Sequence, residues 1–140
     1  MKFLTREPID LNELMKEVID PKAGAIVTFL GTTRNHSQGK EVKYLEYEAY
    51  ESMAEKKIGE LIAKAYKSWP IHHIALKHRL GRIDLTESSI AIYVSSSHRA
   101  DAYAASRFLI DEIKKKVPIW KKEYFTDGSQ WSPGEPVSKP

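Results

Sequence analysis

Five lysines fall within the nine residues Lys114-Lys115-Lys116-Val117-Pro118-Ile119-Trp120-Lys121-Lys122. An ammonium group can stabilise a developing oxyanion, and one whose pKa is lowered by burial or by neighbouring cations can move a proton. Pro118 has no N–H and pushes Val117 out of helical geometry, so a helix arriving from the N-terminal side should stop near Lys116. Beyond it an extended chain sets Ile119, Lys121, Glu123 and Phe125 on one face and Trp120, Lys122 and Tyr124 on the other. Lys114 and Lys121 therefore flank a corner. Taken alone, the cluster is better read as a helix end whose lysines complement the macrodipole, next to a charged edge strand.

A second candidate is Ser95-Ser96-Ser97-His98-Arg99-Ala100-Asp101, where a strand pattern runs straight into a helical one. The unpaired N–H groups of a first helical turn, with His98 and Arg99 beside them, suit an anion. An incidental charged first turn fits the same residues as well. Arg34 lies in the polar stretch Gly31-Thr32-Thr33-Arg34-Asn35-His36-Ser37-Gln38-Gly39-Lys40, where a loop on a rigid scaffold could present it. His72, His73 and His78 invite a metal reading that the spacing disfavours. The first two would point to opposite faces of a strand, with no carboxylate or thiolate at ligand spacing. His78 and Arg79 could instead edge an anion site, but they read better as solvated strand-end charges.

The elements that must position these groups follow from periodicity. A short strand is expected at 2–6 and a helix at about 11–19, with Asp10 and Glu13 as a capping box. A buried strand spans 25–30, and the stretch 42–50 reads as the other arm of a long antiparallel connection with it. Met53, Ile58, Leu61, Ile62 and Ala65 give a helix of about 51–67 that ends at Trp69-Pro70. A strand follows from Ile71 with a bend at Gly81. In the strand at 88–97, Ile90, Ile92 and Val94 share one face and Ala91 and Tyr93 the other. The next helix carries Tyr103, Phe108, Leu109 and Ile113 to the lysine corner. Asp127-Gly128 predicts a turn that lets Trp131 pair back.

Composition bounds the function. The 140 residues, 41% hydrophobic and 29% charged, suit one domain over 1–131 with a flexible tail at 132–140. No long apolar run or signal-like start is present, so a cytoplasmic protein without a membrane partner is expected. A net charge of +3 permits an anionic ligand without requiring one. The absence of cysteine removes disulfides, thiolate metal sites and cysteine nucleophiles, and leaves Lys, Arg, His and carboxylates for any chemistry.

Five segments together resemble the large, catalytic subunit of molybdopterin synthase. They are Val27-Thr28-Phe29-Leu30-Gly31-Thr32-Thr33-Arg34, Leu45-Glu46-Tyr47-Glu48-Ala49-Tyr50, His78-Arg79-Leu80-Gly81, Ser97-His98-Arg99-Ala100 and Val117-Pro118-Ile119-Trp120-Lys121-Lys122-Glu123. They occur in the family's order across roughly residues 3–131. The resemblance implies an α+β fold of the α/β-hammerhead type, in which an antiparallel sheet packs against helices. It implies a homodimer that binds a small ubiquitin-like sulfur carrier at each end, a heterotetramer in all. It implies sulfur transfer from the carrier's C-terminal thiocarboxylate to cyclic pyranopterin monophosphate, forming the dithiolene of molybdopterin. No resident cofactor or metal is implied. The family's functional positions fall on Phe29, Arg34, His98 and Arg99 as substrate-binding residues, and on Lys114 and Lys121 as catalytic ones. Lys114 is assigned to the carrier's terminal carbonyl and Lys121 to the pterin and to proton transfer. Thr33 departs from the valine common at its position, a difference without chemical consequence.

Two features of this chain bear on that reading. With no cysteine, sulfur must arrive on a partner. His98 and Lys114, 16 residues apart on one helix, should lie roughly 24 Å apart at 1.5 Å per residue, so a site that uses both must draw on two subunits. The alternatives from other classes are a non-enzymatic basic module that binds nucleic acid, with Trp120 and Tyr124 as stacking groups, and a phosphate-ester enzyme that needs no carrier.

Overall fold

A computed structural model describes residues 1–131, and the tail expected at 132–140 lies outside them. Leu4–Thr5 (β1) is shorter than expected. Leu11–Val18 (α1) starts where the sequence placed it, because the Asp10 carboxylate accepts the Glu13 N–H at 3.1 Å. Ala25–Thr32 (β2), His36–Ser37 (β3) and Lys40–Ala49 (β4) follow, then the helix Glu51–Ser68 (α2). Ile71–Arg79 (β5) bends into Gly81–Asp84 (β6) at Gly81, whose φ of +85° favours glycine. Ser88–Ser96 (β7) leads into the helix Arg99–Lys116 (α3). Ile119–Phe125 (β8) and Gly128–Trp131 (β9) complete the described chain, and Trp131 pairs back on Lys122 as the Asp-Gly turn predicted.

The strands form two sheets. One has the order β1-β5-β7-β2, antiparallel except where β1 runs parallel to β5. The other has β3-β4-β8-β9, with β6 also paired to β4. β7 is the axis of the first sheet. Its Ile90, Ile92 and Val94 face the main core with α2 and α3, while Ala91 and Tyr93 face Leu14 and Val18 of α1.

This arrangement corrects the expected pairing of 25–30 with 42–50. β2 pairs with β7 (Val27 with Val94, Phe29 with Ile92), and β4 pairs with β8 (Tyr47 with Lys121, Leu45 with Glu123), so the two arms lie in different sheets. Burying Val27 and Phe29 beside the doubly covered β7 outweighs the shorter loop closure of a local hairpin. Two helix positions also differ. Met53 is 46% and Tyr103 62% exposed, and the packed stripes are Ala54, Ile58, Leu61 and Ala65 in α2 and Ala102, Ala105, Leu109 and Ile113 in α3. Alanines let these helices approach each other and the sheet closely, a signal that an inventory of large side chains overlooks.

Candidate functional site

A cavity of about 290 Å³ opens where the end of α3 meets β2, β4, β5 and β8. Four of the six expected site residues border it: Phe29, Arg34, Lys114 and Lys121. Each arrives by a different local device. Phe29 lies on the half-buried face of β2, whose residues alternate strictly between half-buried and exposed. Gly31, two residues on, is needed for close approach, because a Cβ there would sit 2.8 Å from Ile90 Cγ2. Thr33 then anchors the loop. It is 3% exposed, its N–H donates to Glu87 O at 3.1 Å, and its own carbonyl accepts the Thr86 N–H at 2.8 Å. Pinned there, the chain presents Arg34 as an exposed side chain at the mouth.

The lysine corner forms as Pro118 dictates. Val117, buried, donates its N–H to Ile113 O at 3.1 Å as the last helical bond, and Tyr50 N–H donates to Pro118 O at 3.2 Å. Lys115 and Lys116 reach Glu112 at 3.8 and 2.9 Å, and the hydrogen bond from Lys116 helps hold that carboxyl below its ordinary range. Lys114 takes part in neither pair and borders the cavity. In β8 the expected alternation holds, with Ile119, Lys121 and Glu123 lining the cavity. Lys122 and Tyr124 lie on the other face, where Tyr124 stacks on Tyr44 at 4.4 Å and Lys122 sits 5.4 Å from the Trp131 ring centroid.

Two charged or titratable cavity residues outside the expected set are buried. Glu123 is 3% exposed, and its Oε1 is buried with no hydrogen-bond partner among the described residues. His78 is 6% exposed, which corrects its reading as a solvated strand-end charge. Leu4 pairs beside it, and the Tyr47 ring meets it edge-on at 5.0 Å. Burial, followed by the charge of Lys114, pushes its pKa down to about 4, against the opposing effect of its bond to Arg79 O. Arg79 is not solvated either; its side chain is 13% exposed and reaches Glu87 at 3.3 Å. The inward periodicity of β8 could have flagged Glu123. The burial of His78 depends on β1 and β4 closing over β5, which no local pattern encodes.

His98 and Arg99 are elsewhere. α3 is continuous over 18 residues, so its N-terminus lies roughly 24 Å from Lys114. Both residues are exposed, and the His98 side chain makes no capping bond, while Ser96 Oγ donates to His98 O at 2.5 Å. Among the described residues no group of three or more His, Cys, Asp or Glu is placed to hold a metal. His72 bonds Ser97 Oγ and His73 bonds Asp20, each at 2.9 Å.

The family model described as MoaE protein matches residues 4–116. The chain belongs to this family. Among MoaE-type relatives, the molybdopterin synthase catalytic subunit of Halalkalibacterium halodurans is 46% identical over 128 residues, 91% of this chain and 82% of its own. The human molybdopterin synthase catalytic subunit is 47% identical over 127 residues, 91% of this chain and 68% of its own. A solved molybdopterin synthase from Staphylococcus aureus superposes with a TM-score of 0.89 at 40% identity, covering 94% of this chain and 97% of that one. The MoaE-family fold here is accordingly the α+β hammerhead arrangement, in which largely antiparallel sheets pack with three helices among the described residues. No helix among the described residues is long and apolar enough to cross a membrane.

Proposed function

We propose that the chain is the catalytic subunit of a molybdopterin synthase, which moves sulfur from the thiocarboxylated C-terminus of a small ubiquitin-like carrier onto cyclic pyranopterin monophosphate. The observation that carries this is the convergence of Phe29, Arg34, Lys114 and Lys121 on one cavity from four separate elements. Arg34 at the mouth supplies a planar guanidinium for a phosphate. Lys114 stabilises the oxyanion that forms when a water oxygen adds to the carrier's terminal carbonyl, an adduct whose collapse breaks the carbon–sulfur bond, leaves sulfur on the pterin and frees the carrier's carboxylate, and Lys121 serves the pterin and proton transfer. The chain has no cysteine, so sulfur comes on the carrier. Residues 1–131 act as one domain, and the reaction belongs in the cytoplasm. A nucleic-acid module has less support, since Lys115 and Lys116 are engaged by Glu112 and Lys122 lies over Tyr124 and Trp131.

His98 and Arg99 complete the site from a second copy. β2 is the last strand of its sheet, paired only to β7 among the described residues, with Ile26 and Leu30 39% and 37% exposed. It begins beside the α3 N-terminus, where Ala25 pairs with Ser96, and ends at the cavity with Gly31 and Thr32. Eight residues of strand cover roughly 25 Å, close to the span from His98 to Lys114. A two-fold axis through the middle of β2 thus exchanges its two ends and brings one copy's helix N-terminus to the other's cavity.

Incubation with thiocarboxylated carrier and cyclic pyranopterin monophosphate should yield the dithiolene product; no product would refute the assignment. Mixing Lys114→Ala with His98→Ala chains should restore activity through one intact site per mixed dimer. Mixed dimers as inactive as either parent would remove the shared site.

A further inference from the structure

We infer that His78 is a specificity-determining residue of the cavity, whose Nε2 accepts a hydrogen bond from an N–H of the substrate's heterocycle. The assignment rests on the proposed function, and it identifies the part of the substrate that His78 reads. The carbonyl oxygen of Arg79 lies 2.8 Å from His78 Nδ1. A carbonyl only accepts, so Nδ1 carries the proton. The ring is buried and held neutral, which leaves a lone pair on Nε2. Nε2 makes no hydrogen bond among the described residues, and the side chain borders the cavity. The Tyr47 ring, edge-on at 5.0 Å, fixes the imidazole plane.

The chemistry of the surrounding groups selects the ligand. As cations, Arg34, Lys114 and Lys121 donate hydrogen bonds and suit phosphate and carbonyl oxygens. Ser89, also on the cavity, spends its hydroxyl proton on Gly31 O at 3.2 Å. His78 and Glu123 both border the cavity, and Glu123 Oε1 is itself buried without a partner among the described residues. A ligand that meets both sets must therefore bring an N–H donor to His78 and anionic oxygens to the cations. A reduced pterin carrying a cyclic phosphate has that polarity, with ring N–H and amino groups at one end and phosphate at the other. An analogue with a non-donating atom facing Nε2 leaves a buried acceptor unmatched, which is how buried polar groups discriminate strongly.

The test uses the complete enzyme, this chain with thiocarboxylated carrier. His78→Asn retains an amide N–H for Arg79 O but removes the acceptor at Nε2, whereas His78→Gln restores an oxygen near the Nε2 position. For His78→Asn, KM for cyclic pyranopterin monophosphate should rise about tenfold to a hundredfold with kcat much less affected, and His78→Gln should recover most of that loss. An unchanged KM in His78→Asn, or a loss that Gln does not relieve, overturns the assignment. Should either variant fail to fold, the wild-type chain labelled with 15N-histidine gives the answer directly. Adding substrate should shift the His78 Nε2 resonance and leave Nδ1 in place. A shift without turnover would support the His78 assignment and refute the functional reading. Turnover without a shift would do the reverse.

Discussion

Acid should destabilise this protein through His78, by an amount that follows from its surroundings. The imidazole pKa is about 4 in the folded chain against 6.5 for an unperturbed histidine, with burial as the main cause and the Lys114 charge adding to it. Between those values the unfolded chain takes up a proton that the folded chain refuses, so stability falls as pH falls. The contribution is fully present above about pH 6.5 and is lost as pH drops through about 4. At roughly 1.4 kcal/mol per pH unit the interval corresponds to about 3 kcal/mol, a large part of the 5 to 15 kcal/mol typical of a domain. Other groups around the cavity, Arg34, Tyr47, Lys114, Lys121 and Glu123, are common to wild type and variant and largely cancel in a comparison. Urea unfolding of wild type and His78→Asn at pH 7 and pH 4.5 measures the difference. Asparagine does not titrate, so the wild type's advantage should shrink by about 2 to 3 kcal/mol on acidification. Parallel pH dependences would show that His78 is not held neutral by burial and would undermine its reading as an acceptor.

Two further substitutions examine the lysine corner and the floor of the site. Lys114→Ala and Lys121→Ala should each lower kcat by about 10²- to 10⁴-fold, while Lys115→Ala and Lys116→Ala, which remove only pairs to Glu112, should stay near wild type in single-turnover assays of dithiolene formation. Gly31→Ala places a methyl 2.8 Å from Ile90 Cγ2 and should cost about 1 to 3 kcal/mol of stability, read as a lower denaturant midpoint at unchanged m-value.

Much of this was legible in the residues, for reasons particular to each element. Asp10 with Glu13, Pro118 after three lysines, Asp127-Gly128 and the two-faced apolar pattern of β7 are local rules, and each specified an element where one formed. The partner of β2 was not legible. A buried edge of Val27 and Phe29 can satisfy its backbone against any strand, and the choice of β7 over β4 depends on three helices covering the first sheet. The site divided along the same line. Lys114 and Lys121 could be placed on either side of a corner from the proline alone, whereas His78 and Glu123 acquire their character only from the elements that bury them.

The separation of His98 from Lys114 was also legible, because it needs only a rise per residue and an unbroken helix. Its consequence for assembly comes from β2. A chain that keeps two parts of the proposed shared site about 24 Å apart needs a surface that exchanges its ends, and the strand running between those ends is, among the described residues, the edge left unpaired in its own sheet. The outward Ile26 and Leu30 are then the apolar contacts that a second copy would cover. On this reading the hydrogen-bonding edge and the catalytic division are one feature of the fold. A substitution that blocks β2 pairing, such as Thr28→Pro, should abolish activity together with dimerisation while each chain keeps Phe29, Arg34, Lys114 and Lys121 around its cavity. Sedimentation and dithiolene formation measured on the same preparation test that link, and a fully active monomer would break it.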